Sequence, residues 1–127
     1  MLTSERTLQY FKKQGLKADK VEMPYNMYSK TRKDLFNIID IIVLTDRVLG
    51  VQACGLDVQG HVKKISENPN TIDWLKTGAG LELYAWRKVK LKRGGKAIRW
   101  KPRVIIFSIK NNKVLNYEKT MEILNNE

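Results

Sequence analysis

Two apolar runs decide the fold: Ile38-Ile39-Asp40-Ile41-Ile42-Val43-Leu44 and, after the polar turn Thr45-Asp46-Arg47, Val48-Leu49-Gly50-Val51-Gln52-Ala53-Cys54. Two such runs around a short polar turn predict a β-hairpin. If the hairpin is centred on Asp46, Asp40 lies opposite Gln52, with the two Cβ atoms about 5 Å apart. A charge in a buried strand is unfavourable unless it is paired or bound to metal. A carboxylate and an amide oxygen at this spacing suit one hard cation such as Mg²⁺.

Length and composition predict one domain that spans residues 1–127. The chain is 43% hydrophobic, which is enough to build a core, and it has no apolar stretch of membrane-spanning length. Its one cysteine and one histidine exclude an internal disulfide and any multi-cysteine or multi-histidine metal site. The polar segment Met1–Lys13 does not resemble a signal peptide. We therefore expect a cytoplasmic protein without a membrane partner, in the host cytoplasm if the protein is viral.

The charge balance favours a polyanionic partner. The formal net charge is +11 and the sequence pI is about 9.8, which is typical of proteins that bind DNA, RNA or an anionic membrane surface. One loop concentrates this charge, with six cations in ten residues: Arg87, Lys88, Lys90, Lys92, Arg93 and Lys96. This loop is either a solubilising hairpin or a set of phosphate contacts that are independent of base sequence, and we favour the second interpretation.

The remaining pattern predicts an α/β (α+β) fold, with the hairpin strands at the centre of a sheet and helices over its faces. Ser4 is a suitable N-cap for a helix over Glu5–Gln14, and Gly15 ends that helix. A short strand is then expected over Val21–Tyr25, a helix within Leu56–Ser66 and a second helix from Thr71 to Lys76. These are followed by a strand over Leu81–Arg87, a hairpin loop over Lys88–Lys96 and a strand or pair of strands over Ala97–Ile109, broken near Pro102. A short helix over Tyr117–Leu124 ends the pattern.

Several of these pieces together resemble the PD-(D/E)XK nuclease superfamily. Its signature is an acidic residue on one strand, then Glu or Gln, any residue and Lys on the next. Asp40 followed by Val51-Gln52-Ala53-Cys54 is similar to the Gln-x-Lys variant of Mrr-type restriction endonucleases. Small phage and bacterial members carry further pieces in the same order, which here read Ser4-Glu5-Arg6, Lys33-Asp34-Leu35-Phe36, Ile39-Asp40, Val51-Gln52, His61-Val62-Lys63-Lys64-Ile65, Trp74-Leu75 and Trp86-Arg87-Lys88.

The resemblance implies a restriction-endonuclease-like core, a central mixed β-sheet flanked by helices, and Mg²⁺- or Mn²⁺-dependent hydrolysis of DNA phosphodiesters. By this resemblance Asp40, the side-chain oxygen of Gln52 and the carbonyl of Ala53 would bind the metal ion. Glu5 would approach from the first helix, as the helix glutamate does in resolvase-like members. Those members commonly act on branched DNA as homodimers.

Cys54 departs from the family pattern, because the motif places a lysine there. A neutral thiol neither holds the attacking water nor offsets the phosphate charge. Some superfamily members supply the lysine from a neighbouring helix, and Lys63 or Lys64 is placed to do so here, with His61 on the same helix. Gln52 in place of Glu also removes one negative charge from the predicted metal site, which weakens metal binding.

Each candidate residue also has a purely structural interpretation. Asp40 is alternatively an inward carboxylate paired with Arg32 or Lys33, and Gln52 a partner for a neighbouring backbone group. Asp34 is a turn or capping residue, and Glu5 favours the positive end of the helix dipole. The remaining alternatives are a small buried filler for Cys54, a solvated side chain for His61 and a solvated face for the two helix lysines.

The sequence therefore predicts a metal-dependent DNA endonuclease whose substrate is branched or single-stranded DNA. Arg32, Lys33 and the basic loop would hold the DNA backbone. The alternative is a nucleic-acid-binding module on the same fold without catalysis, and a third is a ribosome-associated basic protein. Trp74 and Trp86 are expected in the core, and Trp100 at a surface where it is able to stack on a base.

Overall fold

The chain folds around one six-stranded mixed β-sheet whose strand order follows the sequence. The computed structural model describes residues 1–21, 27–30 and 33–119. The elements are helix α1 (Thr3–Lys13), strands β1 (Lys17–Lys20), β2 (Ile41–Leu44) and β3 (Val48–Cys54), helices α2 (Val58–Glu67) and α3 (Pro69–Lys76), and strands β4 (Gly80–Lys90), β5 (Ile98–Lys110) and β6 (Lys113–Glu118).

The sheet joins two antiparallel meanders through one parallel pair. Strands β1 to β3 pair antiparallel, as do β4 to β6, whereas β3 and β4 run parallel. A parallel pair needs a crossover connection because its strands start at the same edge. Helices α2 and α3 provide that crossover. The predicted α+β class, a mixed sheet flanked by helices, is confirmed.

Side chains alternate between the two faces of the sheet and form two separate cores. One face, which we call the crossover face, packs under α2 and α3 and includes Leu83, Ala85 and Ile105. The other, which we call the α1 face, packs under the first helix and includes Phe11, Tyr84 and Trp86. By alternation Gln52 and Cys54 belong to the crossover face.

Two structural features fix the helices against these faces. On the α1 face, the indole Nε1 of buried Trp86 donates a hydrogen bond of 2.8 Å to Oγ1 of buried Thr7. On the crossover face, Gly50 leaves room for Trp74, since a Cβ at this position would lie 3.0 Å from Cζ2 of Trp74 and 2.8 Å from Cδ1 of Ile39. Trp74 also donates from Nε1 to the carbonyl of Gly80 at 2.7 Å.

Strands β4 and β5 continue past the rest of the sheet as a two-stranded ribbon. Strand β3 pairs with β4 only as far as Ala85, and β6 pairs with β5 only from Ile105 onward. The ladder of β4 and β5 nevertheless continues to Lys90 opposite Ile98. The predicted loop over 88–96 is therefore wrong at its start, because Lys88 and Lys90 lie in β4. The predicted break at Pro102 is also absent, since that residue pairs with Trp86 inside a continuous β5.

The N-terminal predictions are partly right. A helix forms and ends before Gly15, whose φ of +81° suits glycine. Ser4 is not its N-cap, because the helix already begins at Thr3 and Ser4 is buried within its first turn. Strand β1 was not predicted; Val21 follows it outside any strand, and the rest of the predicted 21–25 strand lies outside the described residues.

The other differences lie around the helices and the tail. Asn68, not Thr71, caps α3 by accepting from the N–H of Asn70 at 2.9 Å, whereas Thr71 is buried and donates to the carbonyl of Ile65. The predicted tail helix is wrong at its start, because Tyr117 pairs with Ile106 in β6. The part of that prediction from residue 120 onward falls outside the described chain.

Glu82 makes the stability of the fold depend on pH. Burial raises the pKa of its carboxyl above the ordinary value of 4.5, and this outweighs the opposing effects of Lys119, Tyr84 and Arg47. A raised folded-state pKa gives a stabilisation that is complete below pH 4.5 and is lost as the pH rises through the folded pKa. We therefore expect Glu82→Gln to raise the Tm at pH 7 relative to the parent chain.

The test of this prediction is calorimetry of both proteins from about pH 4 to about pH 7. This range brackets the titration of a carboxyl group whose pKa is raised above its ordinary value. The gain in Tm should shrink toward the acid end, because both proteins are then uncharged at residue 82. Glu67→Gln, a change of an exposed glutamate on α2, is the control. A Tm gain in Glu82→Gln that is the same at all pH values would contradict the assignment.

Candidate functional site

Asp40 directly precedes β2, at the open end of the hairpin, and its side chain binds the neighbouring strand β3. Its Oδ2 accepts a hydrogen bond of 2.9 Å from the backbone N–H of Ala53. The backbone N–H of Asp40 donates to the carbonyl of Val51, and its carbonyl accepts from Val21, both at 2.9 Å. In a regular antiparallel strand, the N–H and C=O of one residue point toward the same neighbouring strand. Those of Asp40 point toward opposite sides, which is the arrangement of a β-bulge.

This bulge changes the predicted pairing of Asp40 with Gln52. The hairpin is centred as expected, with Ile41 opposite Val51. Strand β2 begins only at Ile41, however, and the N–H of Asp40 bonds to Val51 instead of continuing the ladder to Gln52. The carboxylate of Asp40 therefore occupies the place where a continued β2 would offer a backbone acceptor.

Gln52 is the most deeply buried polar group beside it, only 1% exposed. Its Nε2 donates to Oδ2 of Asp34 at 3.3 Å. Its Oε1 is fully buried and has no hydrogen-bond partner among the described residues. A buried acceptor without a partner costs about 1–3 kcal/mol. This orphaned oxygen is the polar atom at the site that most needs a ligand.

Asp34, for which the sequence favours a turn or capping residue, contacts Gln52 in the structure. It reaches Gln52 because residues 35–39 form a tight turn, in which Phe36 and Asn37 have φ of +54° and +64° and Leu35 bridges to Ile39. The Nδ2 of Asn70 donates to the carbonyl of Phe36 at 3.1 Å, which ties the turn to α3. The only sequence signal was the position of Asp34 directly after the basic segment.

The donors at this site fit a hard divalent cation. The carboxylates of Asp34 and Asp40, the free amide oxygen of Gln52 and the carbonyl of Ala53 are all oxygen ligands of the kind that Mg²⁺ and Mn²⁺ accept. The carbonyl of Ala53 is on the same edge of β3 as the N–H that Asp40 binds. Within the described chain no group of three or more His, Cys, Asp or Glu side chains gathers here, so amide and carbonyl oxygens would have to complete the coordination.

Cys54 is a buried, protonated thiol. Burial, reinforced by the negative charges of Asp57 and Asp40, raises its pKa to about 11. It is 4% exposed and its sulfur lies 3.7 Å from the carbonyl of Gly55. These properties match a small buried filler and disfavour a nucleophilic role near neutral pH.

Arg103 is a cation that the sequence interpretation overlooked. Cys54 pairs with Ala85 and Ala85 with Arg103, so Arg103 lies on the crossover face in the same row as Cys54. Its guanidinium is held by Glu118 through two hydrogen bonds of 3.1 Å and 2.7 Å. The alternation of side chains along β5 places Arg103 on this face, but only if the strand continues through Pro102, as it does in the structure.

Glu5 lies on α1, which packs on the opposite face from Gln52. Its carboxylate forms a 2.7 Å ion pair with Lys20, whose register partner Ile41 directly follows Asp40. The structure thus places Glu5 near the same end of the hairpin. A role for Glu5 at the site stays a prediction.

The three residues predicted to contact the phosphate, His61, Lys63 and Lys64, all lie on α2. His61 contacts the carbonyl of Asp57 through Nδ1 at 2.7 Å, the geometry of a ring N–H that donates within the first turn of the helix. Lys63 and Lys64 are exposed, and neither forms an ion pair in the portion of the chain described. Their predicted roles at the phosphate stay predictions.

The predicted backbone-binding cations are all exposed where they are described: Lys33, Arg87, Lys88, Lys90, Lys92, Arg93 and Lys96. Arg32 lies outside the described residues. Arg87 pairs with Lys101 on the crossover face of the ribbon, one step beyond Ala85 and Arg103. The ribbon therefore adds positive charge to the same face that carries Gln52.

No family model, curated protein or solved structure matches this chain. Within the described residues, no helix combines the length and the apolar character needed to cross a membrane.

The burial and raised pKa of Cys54 predict slow labelling by thiol reagents near pH 7. We expect a stopped-flow assay with a chromogenic disulfide to show a rate far below that of the denatured chain, and a rise only toward alkaline pH. Fast labelling of the folded protein at neutral pH would contradict a protonated, buried thiol.

Proposed function

We propose that this protein is a Mg²⁺- or Mn²⁺-dependent DNA endonuclease of the PD-(D/E)XK kind. The observation that carries the proposal is the buried Oε1 of Gln52, which has no hydrogen-bond partner among the described residues. The amide nitrogen of the same residue donates to Asp34, and the N–H of the next residue, Ala53, donates to Asp40. Gln52 is the residue, and Asp40 the upstream acid, that the sequence resemblance assigns to metal binding. A structural glutamine would be expected to satisfy its acceptor as well as its donor.

Under this proposal the chain's own residues hold the metal and the scissile phosphate. Asp40, Gln52 and Ala53 supply oxygen ligands from two adjacent strands. A bound divalent cation would orient a water and stabilise the charge that develops on the phosphate. Glu5 assists from α1, and His61, Lys63 or Lys64 contacts the phosphate from α2.

Asp34 compensates for the charge that the site loses by having Gln52 in place of glutamate. A site with Asp40 alone would offer one negative charge to a divalent ion. Asp34, hydrogen-bonded to Gln52, brings the total to two. Affinity for hard cations rises with the number of charged ligands. The second carboxylate, that of Asp34, therefore supports metal binding at this site.

The partner in this proposal is DNA, either branched or single-stranded, bound through the exposed cations of the ribbon and its loop and through Lys33. Phosphate contacts of this type are insensitive to sequence and sensitive to salt. We propose a cytoplasmic site of action and, by analogy with resolvase-like proteins, a homodimer.

A specific observation favours a second candidate function, DNA binding without cleavage. The position of the motif lysine holds Cys54, a buried thiol whose pKa is raised to about 11. On this alternative, the protein binds DNA through the cations of the ribbon, and the buried polar residues Asp34, Asp40 and Gln52 serve only to stabilise the fold.

The test is a cleavage assay on supercoiled, single-stranded and branched DNA with Mn²⁺. Asp40→Asn is the informative variant, since an asparagine oxygen is still able to accept from Ala53 while the charge on the metal ligand is removed. We expect cleavage to fall by roughly 100-fold or more, the scale of losing a main charge-stabilising group. The same variant should keep its DNA affinity in EDTA.

The matched control is Asp46→Asn, which removes an exposed aspartate from the turn of the same hairpin. It should cleave like the parent chain, and Tm values of all variants establish that they fold. Salt-sensitive binding with no cleavage by the parent chain on any substrate would favour the binding module. Equal cleavage by the parent chain and Asp40→Asn would contradict the assigned metal site.

A further inference from the structure

A cleft of about 370 Å³ lies on the α1 face, the face of the sheet opposite to Gln52. Helix α1 contributes Arg6, Tyr10 and Lys13 to its walls, and the ribbon contributes Trp86 and Trp100. None of these residues belongs to the candidate metal site. The cleft therefore needs an explanation of its own.

Trp100 forms an exposed aromatic platform in this cleft. It is 41% exposed, although it lies within β5 and pairs with Lys88. Next to it, Trp86 is buried and fixed by its hydrogen bond to Thr7. The cleft thus has a rigid inner wall and a large aromatic surface open to solvent, the arrangement on which an unpaired base is able to stack.

Two cations already lie against this platform. The guanidinium carbon of Arg6 lies 4.1 Å from the centroid of the Trp100 ring and the ammonium of Lys88 lies 5.3 Å from it. Arg6 is also 5.9 Å from the ring of Trp86. Cation–π contacts leave the N–H groups of both side chains available for an anion.

Among the described residues, no acid forms an ion pair with these cations. Within residues 1–21, 27–30 and 33–119, the ion pairs join Lys20 to Glu5 and Arg103 to Glu118, and none includes Arg6, Lys13 or Lys88. Like charges gathered around one ring repel one another, which makes an incoming phosphate favourable. The cleft combines an aromatic surface for a base with unpaired cations for the adjoining phosphates.

We propose that this cleft binds single-stranded nucleic acid, with one base stacked on Trp100. The base replaces the guanidinium of Arg6 over the ring, and Arg6, Lys13 and Lys88 bind the flanking phosphates. An unpaired base is required, because bases within a duplex are already stacked on one another. The inference rests on the proposed nucleic-acid partner but not on metal binding or cleavage.

The test measures fluorescence anisotropy of a labelled short oligothymidylate in EDTA, so that no metal-dependent step contributes. Trp100→Ala should weaken binding about 10-fold, since stacking on one aromatic side chain is worth ~1–3 kcal/mol per base. Trp100→Phe should retain most of the affinity. Arg6→Gln should weaken binding and lower the slope of log affinity against log salt by about one.

The matched controls are Tyr117→Ala, which removes an exposed aromatic residue of β6, and Lys110→Gln, at the far end of β5 from the ribbon. Both should bind like the parent chain. An oligonucleotide with abasic sites should bind the parent chain as weakly as thymidylate binds Trp100→Ala, because it lacks the stacking base.

Three results would overturn the proposal. The first is unchanged thymidylate affinity in both Trp100→Ala and Arg6→Gln, with Tm values showing folded proteins. The second is equal affinity of the parent chain for the abasic and the intact strand. The third is Trp100-dependent binding to phosphatidylserine-containing vesicles without oligonucleotide binding. Loss of cleavage in Asp40→Asn leaves all these readings unchanged, so the two proposals fail separately.

Discussion

The hydrogen bond from the N–H of Ala53 to the carboxylate of Asp40 is the interaction on which the candidate site depends. It holds the open end of the hairpin, where β2 has not yet begun and the carboxylate of Asp40 takes the place of a backbone acceptor for Ala53. The bulge at Asp40 makes this possible by turning its carbonyl toward Val21 and its N–H toward Val51. The same carboxylate is thereby fixed beside Gln52, whose buried oxygen has no partner among the described residues. A structural need of the sheet and the proposed metal site thus involve one side chain.

The extension of β4 and β5 past the sheet gives the two faces different chemistry. On the crossover face the row from Cys54 through Ala85 ends in Arg103, with Arg87 one step further along the ribbon. On the α1 face the same ribbon carries Trp100 between Arg6 and Lys88. One two-stranded element therefore presents positive charge to both sides, and only one side also offers an aromatic platform.

The central hairpin was predictable because its sequence signal is local. It consists of two long apolar runs, a polar turn between them, and the polar residues Asp40 and Gln52 within the runs. Strand β1 was not, because Lys17-Ala18-Asp19-Lys20 has no apolar alternation and acquires its structure by pairing with β2. Asp34 was missed as a partner of Gln52 because the turn after it places Phe36 at positive φ, which its sequence does not favour. Tyr117 was assigned to a helix because its pairing with distant Ile106 has no local signal.

The most direct test of the proposed metal site is a crystal of the protein grown or soaked with Mn²⁺, with anomalous diffraction measured at the manganese edge. We predict one strong anomalous peak within coordination distance, about 2.0–2.6 Å, of the oxygens of Asp40, Gln52 and Ala53. The amide of Gln52 should direct its oxygen at the ion. Absence of a peak there at saturating Mn²⁺, with the Gln52 amide still bonded to Asp34, would contradict the account.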